Sequence, residues 1–119
     1  MSKYADVYLL PIPEENIPVY KKLATAAGKL FVKHGALKYR EYVASDLSVQ
    51  DVVPFPKRIK LKPGETLVYA SVEFKSESHR NKVMKAIFAD PAMQETMPGK
   101  PPFDYKRMVY GGFRILVDL

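Results

Sequence analysis

The chain contains no cysteine, which excludes disulfides, thiol catalysis and thiolate metal sites, and suits a reducing cytosol. It has only two histidines, His34 and His79, so a histidine-rich metal or haem centre has little to draw on. Neither a GxGxxG nor a P-loop glycine pattern occurs, and no serine sits in a GxSxG context. The apolar core of a signal peptide is missing from MSKYADVYLL, and no apolar run approaches membrane-spanning length. A soluble, cytoplasmic protein is the expectation. With 119 residues, 47% of them hydrophobic and 27% charged, the chain suits one core, so a single domain over 1–119 is expected. Its net charge of +6 gathers mainly in Lys57, Arg58, Lys60 and Lys62. That cluster reads as a solvated loop more readily than as a nucleic-acid footprint.

What the chain does have is period. Lys3 to Leu10 alternates Tyr4, Asp6, Tyr8 and Leu10 against Ala5, Val7 and Leu9, the pattern of a strand with one purely apolar face and one mixed polar-aromatic face. Pro11 and Pro13 are expected to stop it. A helix should start near Asn16, with Pro18 in its first turn and Gly35 just past its end. Its stripe is Val19, Tyr20, Leu23, Ala26, Ala27, Leu30 and Phe31. A second strand spans Leu37 to Ala44, and the long connection Ser45 to Gly64 follows. Thr66 to Phe74 forms the third strand, with Val68, Ala70, Val72 and Phe74 on one face. Ser76 caps a second helix that buries Val83, Met84, Ile87 and Phe88 and ends at Asp90-Pro91. The connection Pro91 to Pro102 carries one short helical turn. Met108 to Val117 is the closing strand, and Gly111-Gly112 marks a bend or a close backbone approach.

The order strand, helix, strand, strand, helix, strand predicts an α+β, ferredoxin-like βαββαβ protomer, a four-stranded antiparallel sheet with two helices on one face. Placing the apolar faces of the first, third and last strands under the helices leaves the other face to Tyr4, Asp6, Tyr8, Tyr69, Ser71, Glu73, Tyr110 and Arg114. A second subunit closing over that face, a single-stranded nucleic acid stacking on it, and plain solvation are the three ways to accommodate it.

Several segments resemble a known family: YADVYLLPIP, KHGAL, FPKRIKLKPGETLVY, DPAM and FDYKRMVYGGF. They are similar to the YbaA-like family of small bacterial proteins of unknown function, in the dimeric α/β-barrel superfamily. The resemblance spans nearly the whole chain. It implies protomers that pair sheet to sheet into a barrel, hence a homodimer, and it implies no established activity. Relatives in that superfamily include cofactor-independent monooxygenases, haem-degrading proteins and muconolactone-isomerase-like enzymes, an analogy of fold alone.

On the expected polar face, Asp6 and Glu73 are the candidate acid and base, close enough to raise each other's pKa. Tyr8, Tyr69, Tyr110 and Arg114 are the candidate ligand-binding residues. The bland alternative pairs the two acids with Arg114 or Arg40 as a structural network. His34 and His79 read as surface or cap residues, and neither a metal nor a cofactor is expected. The expected function is binding of a small polar or aromatic molecule between paired sheets, with a cofactor-independent reaction on it as the extension. A purely structural dimer is one alternative. The other is RNA binding, because VYLLPI and LVYASVEF partly resemble the two RNA-recognition-motif signatures, with Tyr8 and Tyr69 as stacking rings; Asp6 and Glu73 beside them would repel phosphate.

Overall fold

The computed structural model describes residues 2–96 and 99–119. Its elements are β1 (Tyr4–Pro13), α1 (Ile17–Lys33), β2 (Lys38–Val43), β3 (Glu65–Phe74), α2 (Glu77–Ala89), α3 (Pro91–Glu95) and β4 (Val109–Arg114). The strands form one antiparallel sheet in the order β2-β3-β1-β4, the ferredoxin-like arrangement that the alternating periods predict. Within the predicted connection Pro91–Pro102, residues 97 and 98 lie outside the described residues.

Local chemistry places the element ends. Pro18 lies in the first turn of α1, where its missing N–H breaks no bond. Gly35 follows the helix at φ +113°, a conformation that side chains resist. The Ser76 hydroxyl accepts from the His79 backbone N–H at 3.1 Å and starts α2. The Asp90 carboxylate then does the same for α3, accepting from Ala92 N at 2.9 Å.

Two expectations about β1 are corrected. The strand does not stop at Pro11 but runs to Pro13, because β4 begins opposite Leu9 and leaves one edge of β1 free beyond it; prolines are tolerated on such an edge. Its inward face is also reversed. Tyr4 lies opposite Phe74, Asp6 opposite Val72 and Tyr8 opposite Ala70, and directly opposed residues share a face. The face of β3 that carries Val68, Ala70, Val72 and Phe74 points to the helices as expected, and it takes Tyr4, Asp6, Tyr8, Leu10 and Ile12 with it. The longer strand explains the choice: Leu10 and Ile12, 2% and 0% exposed, share the phase of Tyr4, and their burial outweighs that of Ala5 and Val7. β4 follows the same register, with Tyr110 and Gly112 inward and Val109 and Phe113 outward.

The core has two parts. Tyr4, Phe31, Val72, Phe74, Val83 and Ile87 close the layer under α2 and the end of α1. Leu10, Ile12 and Val68 close the opposite end with Ile17, Tyr20, Phe103 and Met108. Phe88, expected in the buried stripe of α2, is 70% exposed, since it stands a helical step of about 100° away from Ile87.

Candidate functional site

Between the two core clusters the sheet carries a row of unlike residues. Glu41 of β2, Ala70 of β3, Tyr8 of β1 and Tyr110 of β4 lie opposite one another across all four strands. The small Ala70 leaves room above it. At one end of the row Glu41 accepts hydrogen bonds from the hydroxyls of Tyr20, on α1, and Tyr39, two residues back on β2, one phenol to each carboxylate oxygen. Burial first, and then the Glu41 charge, push both phenols far above the usual tyrosine range, so both remain protonated donors.

Gly28 makes this geometry possible. A Cβ at that position would stand 2.6 Å from the Tyr39 ring, so the ring packs on bare helix backbone. A glycine inside a helix costs about 1 kcal/mol against alanine, and the close approach is its return.

The Glu41 carboxylate with its two phenols forms part of the wall of a mostly apolar cavity of about 790 Å³ between α1 and β2. Ile17, Ala24, Gly28 and Val32 line it from the helix, Val43 and Val68 from the sheet, and Lys21, Thr25 and Lys29 stand along its rim. Beyond Tyr20, Glu41 and Tyr39 lies a smaller hollow of about 140 Å³, lined also by Met93, Thr96 and Phe103. The larger space falls in the range of small-molecule sites. Each phenol oxygen that donates to Glu41 keeps its lone pairs, so a ligand hydroxyl or N–H can donate to it.

A second polar cluster closes the other end of the row. Asp6, 0% exposed, accepts from Arg80 Nη1 and from the Tyr110 hydroxyl, both at 3.0 Å. Arg80 also donates to the Tyr110 hydroxyl at 2.8 Å and lies over the Tyr4 ring at 4.9 Å from its centroid. Loss of water pushes the Asp6 carboxyl above its usual range, while Tyr110 and Arg80 pull it part of the way back. Asp6 Oδ2 and Arg80 Nε are buried without a protein partner. Tyr8 joins the two ends: its ring lies 4.8 Å from that of Tyr110, and burial, then Asp6, Tyr110 and Glu41 all raise its pKa, with Arg80 opposing.

The predicted site residues are thus divided. Asp6, Tyr8 and Tyr110 come together on the helix-facing side. Glu73 and Tyr69 point to the opposite face, since they pair with Ala5 and Leu9, so Asp6 and Glu73 do not share a pocket. Arg114 sits opposite Tyr4 at the end of β4 and is exposed; the arginine that meets Asp6 is Arg80. The rings of Tyr8 and Tyr69 lie on opposite faces, so the two-ring platform of an RNA-recognition motif is not assembled. His34 pairs with Asp90 at 2.7 Å, and His79 Nδ1 accepts from Lys75 N at 3.0 Å. Among the described residues no group of three or more potential ligands is placed to hold a metal ion, and no helix is long and apolar enough to cross a membrane.

Glu41, Tyr20, Tyr39 and Arg80 were missed from sequence. Arg80 shares helical phase with Val83 and Ile87, a signal that it points inward. Tyr39 and Glu41 alternate in phase on β2, and Gly28 within the helical stripe marks where something approaches.

The family described as "Protein of unknown function (DUF1428)" matches residues 3–105. An uncharacterized protein, YbaA of Escherichia coli K12, is 34% identical over 116 residues, covering 98% of each chain. Solved structures with the same fold include a dimeric ferredoxin-like protein from an uncultured marine organism, 12% identical with TM-score 0.55 over 100% of both chains. Another is SnoaB, a cofactor-independent oxygenase from Streptomyces nogalater, also 12% identical with TM-score 0.55, over 100% of this chain and 98% of that one. Rv0793 from Mycobacterium tuberculosis is 10% identical with TM-score 0.54 over 98% of each.

Proposed function

The chain belongs to the DUF1428 family of proteins of unknown function, and from that premise we propose that it binds a small, largely apolar molecule bearing a hydroxyl or N–H in the cavity between α1 and β2. The observation that carries this reading is the isolated Glu41 carboxylate, held by two phenols in the wall of an otherwise mostly apolar space. Buried polar groups in apolar pockets set ligand orientation. Here the apolar walls supply affinity, and the phenol oxygens select a donor on the ligand. In this reading Asp6, Tyr8 and Tyr110 form the far end of the site's polar row. SnoaB, of the same fold, is a cofactor-independent oxygenase, and a cofactor-free reaction on the bound molecule is the extension of this proposal.

The protomer works as a homodimer in the same reading. The outward sheet face presents Tyr42, Tyr69, Val109 and Phe113, all well exposed, and a depression of about 310 Å³ lined by Leu9, Phe55 and Tyr69. Reversal of β1 and β4 makes this face more apolar than the sequence alone suggests, which strengthens the case for a covering copy. Glu73 then stands at the interface, while Arg114, opposite Tyr4, stays on the helix-facing side at the sheet edge, and neither lines the ligand cavity.

The test uses 1-naphthol and naphthalene on the full chain. 1-Naphthol should bind about three- to tenfold more tightly, the worth of one shielded hydrogen bond. Tyr39→Phe should narrow that gap while leaving naphthalene binding in place. Equal binding of both compounds, or binding of neither, sinks the proposal.

A further inference from the structure

The cavity rim is built from two adjacent rows on α1. Residues four apart stack along one helix face, so Tyr20, Ala24, Gly28 and Val32 form the inner row and Lys21, Thr25 and Lys29 the outer one. The inner row is small or apolar apart from the tyrosine that meets Glu41. The outer row places a cation at each end, about 12 Å apart along the axis. Between them the Thr25 hydroxyl donates to the Lys21 carbonyl at 2.6 Å, so its proton is engaged. Among the described residues the ion pairs use Lys3, Lys33, His34, Arg80 and Arg107, and neither Lys21 nor Lys29. Glu41 is the one carboxylate lining the cavity, and both of its oxygens are taken up by phenols.

We propose that the ligand is an apolar organic anion, of the aryl or alkyl carboxylic acid class, whose body fills the cavity and whose charged head lies at the rim between Lys21 and Lys29. This inference rests on the cavity-binding reading above and adds the sign and place of a charge. The two flexible ammonium groups can converge on a head lying over Thr25, while the inner row of small residues lets a flat body slide past the helix. The attraction is that of solvated ion pairs and is therefore modest and salt-sensitive.

Two fluorescent probes that share a ring system separate charge from shape. N-phenyl-1-naphthylamine is neutral, and 8-anilinonaphthalene-1-sulfonate is the same skeleton with an anionic group. The full-length protein should bind the sulfonate about five- to tenfold more tightly than the neutral probe at low salt. That preference should collapse in about 0.5 M salt. The double variant Lys21→Gln, Lys29→Gln should lose it and keep its affinity for the neutral probe. Ala24→Phe, which fills the cavity, should abolish binding of both probes; if that variant does not fold, Val43→Phe on the opposite wall gives the same readout. Equal affinities in the wild type, or a preference that survives the double lysine variant, overturn the anion proposal and leave the cavity reading intact. Binding that persists in the folded cavity-filled variants, or no binding of either probe, overturns both.

Discussion

At the scale of single residues, the glycines show how far a side chain's surroundings outrun its neighbours in sequence. A Cβ on Gly112 would stand 2.1 Å from the Tyr4 hydroxyl, and Tyr4 cannot easily yield because it is buried and its hydroxyl accepts from Arg80 at 3.4 Å. Gly112→Ala should therefore destabilise the fold by about 1–3 kcal/mol, the usual effect of overpacking. Gly99→Ala is the control: among the described residues nothing lies within 4 Å of a Cβ there, and the change should fall within about 0.5 kcal/mol of neutral. Urea unfolding of both variants checks the contrast, and equal stabilities would remove the Tyr4 contact as the reason for glycine at position 112. The sequence marks the Gly111-Gly112 position as a bend or a close approach. The close approach is what the structure shows, with β4 paired on both sides of it.

At the scale of elements, Asp90 ties the end of α1 to the junction of α2 and α3. Its carboxylate meets His34 at 2.7 Å and Lys33 at 3.3 Å, and accepts from Ala92 N. The His34 hydrogen bond, then that of Ala92 and the Lys33 contact hold its pKa down at about 2. A depressed carboxylate stabilises the fold above its unfolded pKa, and that stability is lost as pH falls through the folded value. The contribution should be complete above about pH 5 and fade between pH 4 and about 2. Thermal melts of wild type and Asp90→Asn should therefore differ at pH 6 and converge toward pH 2. A constant gap across that range would remove Asp90 as the origin of the acid sensitivity. Arg107 plays a comparable part elsewhere: its two amino groups reach Glu65 at 2.7 and 2.8 Å, and one also reaches the Lys60 carbonyl. This anchors the end of the long connection before β3.

At the scale of the molecule, the chain is a slab of 38 × 38 × 21 Å, the thickness of one sheet and one helix layer. A two-layer fold leaves one sheet face uncovered, and here that face carries Tyr69, Val109 and Phe113. Light scattering at micromolar concentration should give twice the chain mass of 13.5 kDa, and Phe113→Lys should shift the protein to monomer. A wild type at the single-chain mass would end the dimer reading, while the ligand cavity, which lies within one protomer, would stand untouched.

Element order and type were legible in the sequence because they follow from local matters: period, caps and turn chemistry. The proline in the first turn of α1, Gly35, the Ser76 cap and the apolar face of β3 are all cases of this kind. Which face of β1 meets the helices was not local. It depended on the burial of Leu10 together with Ile12, which lies beyond a proline, and on Arg80, seventy-four positions away from Asp6, arriving to neutralise a buried carboxylate. The candidate site is of the same sort. Tyr20, Tyr39 and Glu41 converge because Gly28 lets α1 sit close against β2. Alternation tells which residues of one strand share a face. It carries no information about which face the helices will cover, because that is decided by the summed burial and charge pairing of the whole layer.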